Sequence, residues 1–369
     1  MAIGGTTLIV ASTAATLTAA ARYRIDATLT VSTVVPLATL RRIDRNLLID
    51  AGRFDASAGG PTLAFMIDAH HHLWSYSPDD YPWIPPDSPL AADHLIDELE
   101  TVADRTGVDQ FVTVQAREST VENTFLCNLA DHCERIAAIV GWVPLVRSDV
   151  AEDLDRFAQH PKARGVRHVI QGEADTSVWL GDAFGRGLDA VARAGLRFDL
   201  LILAHQLPDA IRLADAHPDL PMVLDHVAKP HITLRGDVAG GLKSVMDTDW
   251  EKNIRELAER PHVSCKFSAL MTEVDRGDGG PSDVDGDASK GRDDASKWAE
   301  WVRPFFDVAV DAFGWERLMY GSDWPVCKLA DSYDVWLAAT QILTSDISPD
   351  QRDRFYRRNA ASAYAIKAV

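Results

Sequence analysis

Lysine is scarce in this chain of 369 residues, with nine against 28 arginines. The basic total of 37 falls short of 55 acidic residues and leaves a formal net charge of −18. A nucleic-acid binder needs a basic face, so that class of function is disfavoured. Adhesion to an anionic membrane surface is disfavoured for the same reason. No run of 18 apolar residues occurs, so the sequence offers no candidate for a spanning helix. There are only four cysteines, Cys127, Cys133, Cys265 and Cys327, with no CxxC pair and no zinc-knuckle spacing. In a chain of this length they read as reduced, mostly buried thiols, which suits a cytoplasmic protein.

Residues 1–65 differ from the rest. They contain no lysine, and their six arginines against four acidic residues leave the remainder of the chain at −20. A secretory leader needs a basic start and an apolar core, but here the first basic residue is Arg22, after a Thr-rich stretch. This segment is expected to be a poorly ordered extension, or to precede a true start at Met66. From Phe65 onward, β-rich runs alternate with helical patterns. The runs fall at 65–70, 109–116, 136–145, 163–170, 197–205, 221–227, 262–269 and 318–323, with helical patterns such as 90–105, 120–135, 149–160 and 207–217 between them. Eight strands separated by helices predict an α/β fold with a closed (β/α)8 TIM barrel, which needs about 250 residues as a single domain. An open doubly wound sheet would favour a Gly-rich loop after the first strand, and DAHHHLW has no glycine. One segment breaks the rhythm: 275–296 carries seven Asp and five Gly and reads as a solvated acidic loop insertion. Its DVDGD piece puts Gly286 at position four, where an EF-hand calcium loop has glycine at position six.

The strongest chemical signal is His70-His71-His72 at the end of the first strand. Side chains alternate along a strand, so His70 and His72 share one face and His71 takes the other. Two imidazoles at i and i+2 can grip one divalent metal. His168, His205 and His226 also fall at expected strand ends, and Asp323 ends the last strand. Barrel enzymes carry their catalytic groups at these carboxyl ends. Three polar residues in a surface loop, or scattered core histidines, would not gather at one end of one architecture.

From Met66 onward the chain resembles the sugar-lactonase branch of the amidohydrolase superfamily, the group of L-fuconolactonases and L-rhamnonolactonases. The matching stretches are IDAHHHLW (67–74), DYPWI (80–84), VGWVPL (140–145), GVRHVIQ (165–171), FDLLILAHQLP (198–208), VLDHVAKP (223–230), CKFSAL (265–270) and GSDWPVC (321–327). His71 stands where that group usually has Gln. The resemblance implies hydrolysis of a small-molecule lactone. Asp323 would be the general base, with His226 beside it. His70, His72, His205, His226 and Asp323 would be candidate ligands for one divalent metal, zinc being the expected ion; relatives that work without metal also exist. Gln115, Arg167, His168, Lys266 and Trp324 would meet the substrate, with Trp74, Trp83 and Trp142 near the same ends. A two-metal site bridged by lysine is disfavoured, because His168 and Val169 stand at that place on strand four. The alternative is a metal-dependent decarboxylase of an aromatic or unsaturated acid, but such relatives tend to carry Glu in the first-strand motif. A non-catalytic binder would have no need of the histidine pair and Asp323.

Because barrel patterning starts at Phe65, a chain beginning at Met66 is expected to fold and to keep full lactone turnover. Insolubility, or loss of turnover in a soluble product, would make residues 1–65 part of the fold.

Overall fold

Short Val-, Ile- and Phe-rich runs bounded by Gly, Pro and Asp become the strands of a parallel ring. The computed structural model describes residues 65–236, 242–275 and 288–367. The barrel strands are β1 (Ile67–His71), β2 (Gln110–Val114), β3 (Ile136–Gly141), β4 (Ala163–His168), β5 (Arg197–Leu200) and β6 (Met222–Leu224). After β7 (Ile232–Gly236) and β8 (Leu242–Val245) come β9 (Val263–Phe267), β10 (Val274–Asp275) and β11 (Leu318–Tyr320). Eight of these pair in parallel in the order β1-β2-β3-β4-β5-β6-β9-β11. The seam between the first and last strands is held at its carboxyl end. There the His72 amide donates to the Trp324 carbonyl (2.7 Å) and the Asp323 amide to the His70 carbonyl (2.8 Å). The expected (β/α)8 barrel is therefore the observed architecture.

Helices cover the outside: α1 (Ile96–Thr106), α2 (Thr120–His132), α3 (Val150–Ala158), α4 (Thr176–Trp179), α5 (Asp182–Arg193), α6 (Leu207–Ala216) and α7 (Thr248–Ala258). They continue with α8 (Ala288–Arg317), α9 (Tyr333–Leu343), α10 (Pro349–Asp353) and α11 (Asn359–Ala363). Several start where a side chain caps free amides. Ser119 accepts from Val121, Asp247 from Asp249 and Trp250, and Ser332 from Val335. The outward strand faces, including Phe111, Ile139, Phe198, Leu224 and Phe267, pack under these helices in one large apolar layer. The inward faces supply a second cluster of smaller residues: Ile67, Ala69, Val112, Val114, Ala138, Val140, Val223 and Met319. Ala360 and Tyr364, from the end of the chain, complete that inner cluster. No helix among the described residues is long and apolar enough to cross a membrane.

Three expectations are corrected. Strand five ends at Leu200, not at 205, and Ala204–Gln206 form a 3-10 turn. The acidic stretch expected as a loop over 275–296 is partly ordered: Asp275 closes β10 and Ala288 begins α8. Once Trp298, Val302 and Phe305 are packed in the core, extending that helix backward adds one hydrogen bond per residue without a new nucleus. A small sheet in the order β10-β7-β8 had no counterpart in the sequence reading. Residues 1–64 and 276–287, including Gly286 of the calcium-loop comparison, lie outside the described residues.

Candidate active site

β1 contains one residue more than its partner between two points of register: Asp68 pairs with Phe111 and His71 with Thr113. The extra residue is a bulge, a device that re-aims side chains. Asp68 faces outward, accepting from the Tyr333 hydroxyl at 3.0 Å. Ala69 belongs to the inner cluster, and His70 also turns inward, among Arg167, Asp225 and Lys266. His71 then points out, 3.1 Å from the Thr113 hydroxyl and edge-on to Phe111. His70 and His72 do share a face, but a bulge, not simple alternation, brings both that face and Ala69 inward.

The inward groups converge. His72 Nε2 lies 3.2 Å from His70 Nε2 and 3.2 Å from Asp323 Oδ1. His70 Nε2 is 3.5 Å and His226 Nε2 3.9 Å from the same carboxylate oxygen. His72 Nδ1 is 2.8 Å from the Val114 carbonyl, which can only accept, so Nδ1 carries a proton there. His226 Nδ1 meets the Ser268 hydroxyl at 2.8 Å. Two backbone devices present these groups. Asp323 itself sits at φ 58°, and His226, Val227, Ala228 and Lys229 form four successive left-handed residues (φ 55°, 51°, 60° and 46°). Non-glycine residues there cost of order 1–3 kcal/mol each, strain that collects at functional sites.

Electrostatics follow from burial. Burial pushes His226 down to about 3, and it holds His70 well below the usual imidazole range, helped by the Lys266 cation. Both rings are therefore neutral. Burial works against the charge of Asp323, but His226, His72 and His70 around it keep the carboxyl below the usual carboxylate range. Beneath the histidines lies an ion network. Lys266 Nζ reaches Asp199 Oδ2 (2.6 Å), Asp225 Oδ1 (2.9 Å) and His70 Nδ1 (3.0 Å). Arg167 donates to Asp225 Oδ2 (3.0 Å) and to the Gln115 backbone carbonyl (2.5 Å). Although burial opposes it, Asp225 stays well below the usual range because of Lys266, His70 and Arg167, whereas burial raises Asp199 to about 6.

The structure brings together His70, His72, His226 and Asp323, with Arg167 just behind. Others expected at the mouth are set apart. His205 is exposed on the 204–206 turn after the early end of β5, outside the cluster of ligand atoms. Lys266 is fully buried below His70 and held by Asp199, Asp225 and His70, because its strand position points it to the barrel axis, not to the opening. Trp324 is also buried: its carbonyl closes the seam, and its ring lies against His71 and His94 with Lys328 above. Trp74 is buried likewise. His168 lies at the rim between Glu118 (3.3 Å) and Glu173 (3.2 Å), where Trp142 Nε1 also donates to Glu118. Trp83 is the exposed aromatic ring nearby, its Nε1 donating to the Ala116 carbonyl. Gln115 is buried, and neither atom of its side-chain amide has a partner among the described residues. Asp199, Asp225 and Ser268 received no role from the sequence. For Asp199 the available signal was a lone charge within a barrel strand, since a buried carboxylate demands a cation.

An amidohydrolase family model matches residues 67–366. The chain belongs to this amidohydrolase family. A curated relative, the L-fucono-1,5-lactonase of Burkholderia multivorans, is 37% identical over 309 residues, covering 82% of this chain and 97% of that protein. A crystal structure of an amidohydrolase from Burkholderia multivorans with bound zinc superposes with a TM-score of 0.69 at 36% identity, covering 82% and 100% of the two chains. A dihydroxybenzoic acid decarboxylase from Polaromonas, with bound manganese, shares the fold alone at 13% identity (TM-score 0.54).

This amidohydrolase has the donor set for a divalent ion. Ligand atoms of His70, His226 and Asp323 lie within 4.8 Å of one another, all buried. Nitrogen and oxygen donors of this kind suit zinc or a similar borderline metal. Room for the cluster depends on Gly321, where a Cβ would meet His70 Cβ at 3.0 Å and Ser268 Cβ at 3.1 Å. Gly321→Ala should displace His70 and cost about 1–3 kcal/mol. Denaturant unfolding checks the cost and metal titration the displacement; a midpoint and a metal affinity equal to the parent's would refute this account of Gly321.

Proposed function

We propose that this amidohydrolase is a lactonase that opens the cyclic ester of a hydroxylated sugar acid, such as L-fucono- or L-rhamnonolactone, to the free acid. The observation that carries the reading is a single carboxylate oxygen of Asp323 within 3.2 to 3.9 Å of the inward-facing imidazoles of His72, His70 and His226 at the carboxyl ends of the barrel strands. One divalent ion, zinc, is the proposed cofactor, with His70, His72, His226 and Asp323 as its candidate holders. When bound, such an ion lowers the pKa of water to about 7 and polarises a carbonyl.

The chain's own groups divide the remaining work. Asp323 takes a proton from the attacking water as the water oxygen bonds to the lactone carbonyl carbon. The ring C–O bond then breaks, and that proton passes to the departing ring oxygen. His226, neutral and oriented by Ser268, faces the same point and orients the carbonyl. The unpartnered amide of Gln115 and the unpartnered Nε of Arg167 are donors suited to substrate oxygens. Trp83 and Trp142 offer rim faces to the apolar side of a sugar ring. Four unpaired cysteines and the acidic balance suit a reducing cytoplasm. The decarboxylase reading rests on fold alone and is not favoured by any residue of this site.

Asp323→Asn keeps the shape and removes the basicity. General-base catalysis is worth about 10²–10⁴-fold, so kcat should fall by at least two orders of magnitude in a folded variant. Near-normal kcat would assign the base elsewhere.

Proton release from a lactone panel tests the substrate class. A site that bonds substrate hydroxyls discriminates by about 10⁴–10⁵ against analogues lacking them. L-fuconolactone and L-rhamnonolactone should therefore exceed butyrolactone in kcat/KM by a wide margin. Equal rates, or carbon dioxide release from an aromatic acid without lactone turnover, would refute the assignment.

A further inference from the structure

The end of the chain reaches the catalytic cluster from the opposite side of the barrel. Asn359 opens α11 and donates its carboxamide to the carbonyls of Trp315 and Leu318, both at 2.7 Å. Arg197 Nε donates to the Ala363 carbonyl at 2.5 Å. Leu318 and Arg197 are the first residues of β11 and β5, so these bonds hold the segment across the barrel floor. Tyr364 then enters the inner cluster with Ile67, Ala69 and Met319.

From there the contacts run upward without a gap. The Tyr364 hydroxyl donates to Asp199 Oδ2 at 2.7 Å, and the same oxygen accepts from Lys266 Nζ at 2.6 Å. The other oxygen of Asp199 has no partner among the described residues. The ammonium lies 5.2 Å from the centre of the Tyr364 ring. Lys266 Nζ donates to Asp199 Oδ2 and to His70 Nδ1, and it forms an ion pair with Asp225 Oδ1 at 2.9 Å. The N–H directions of an ammonium are fixed relative to one another, so whatever holds Asp199 also sets how Lys266 meets His70. Every member is buried, where a charge-assisted bond is strong and a displaced one is costly.

We propose that Tyr364 is a positioning residue: through Asp199 and Lys266 it sets the orientation of the His70 ring from the barrel floor. The consequence for hydrolysis rests on the lactonase reading, but the orientation itself does not. Tyr364→Phe keeps the ring and its packing and removes only the hydroxyl. Three readouts apply: zinc affinity by competition with a chromophoric chelator, imidazole nitrogen NMR of the metal-free protein, and kcat against KM. Outer partners of metal ligands are worth about 10–100-fold in affinity or activity, so zinc affinity and kcat should each fall about tenfold. KM should hold, and the His70 Nδ1 resonance should move.

A second variant guards against misfolding. Asp199→Asn combined with Lys266→Met removes one charge of each sign and keeps the interior neutral. It should lose at least as much zinc affinity, and adding Tyr364→Phe to it should cost nothing further, because the three act as one chain. A residue that only supports the fold would lower the melting temperature and leave all three readouts unchanged. Parental zinc affinity with an unmoved His70 resonance in Tyr364→Phe, or an additive loss in the combined background, overturns the proposal. A parent protein without lactone turnover, whose His70 resonance still follows Tyr364, would sink the lactonase reading and leave the positioning role standing.

Discussion

Four charges share the middle of this barrel, and the site above depends on how they cancel. Asp199 and Asp225 are carboxylates with no access to water, and Lys266 and Arg167 are the cations that make such burial tolerable. Removing one partner of a buried pair typically costs about 3–5 kcal/mol, because the other charge is left uncompensated. The set therefore behaves as a unit. Its upper surface is the underside of His70, which meets Lys266 and Asp225 at Nδ1 and Arg167 at Nε2. An imidazole between two cations stays neutral, the form in which a histidine binds a metal or directs a hydrogen bond.

Above that platform the backbone, more than side-chain choice, decides where the reacting groups face. The bulge in β1 adds one residue and turns His70 inward. β6, β9 and β11 each hand over to left-handed residues, at His226, Ala269 and Asp323. A regular continuation of those strands would send alternate side chains away from the axis. The strain is tolerable because the surrounding layers are large: the outer core buries the helices against nearly every outward strand face.

The ring architecture was legible because eight β-rich runs recur along the chain with helical patterns between them. His70, His72, His226 and Asp323 were legible as a group because polar residues at strand ends stand out against those runs. Less visible was the depth of each side chain. Lys266 and Trp324 sit at strand ends in sequence, yet one points down the axis and the other is enclosed by His71 and His94. His205 looked like a strand end only because the apolar run FDLLIL continues past the point where β5 stops pairing. The partnership of Tyr364, Asp199 and Lys266 joins positions far apart in the chain, and no local spacing announces it.

The two seam bonds have a temporal meaning. The His72 amide holds Trp324, the Asp323 amide holds the carbonyl of His70, and together they unite the beginning of the barrel with its end. Three of the residues that close the ring, His70, His72 and Asp323, are also members of the candidate site. A ribosome must therefore deliver more than 250 residues after the first histidine before His70 and Asp323 can meet. An intermediate that stops short of the last strand lacks Asp323, so assembly of the candidate site reports completion of that strand.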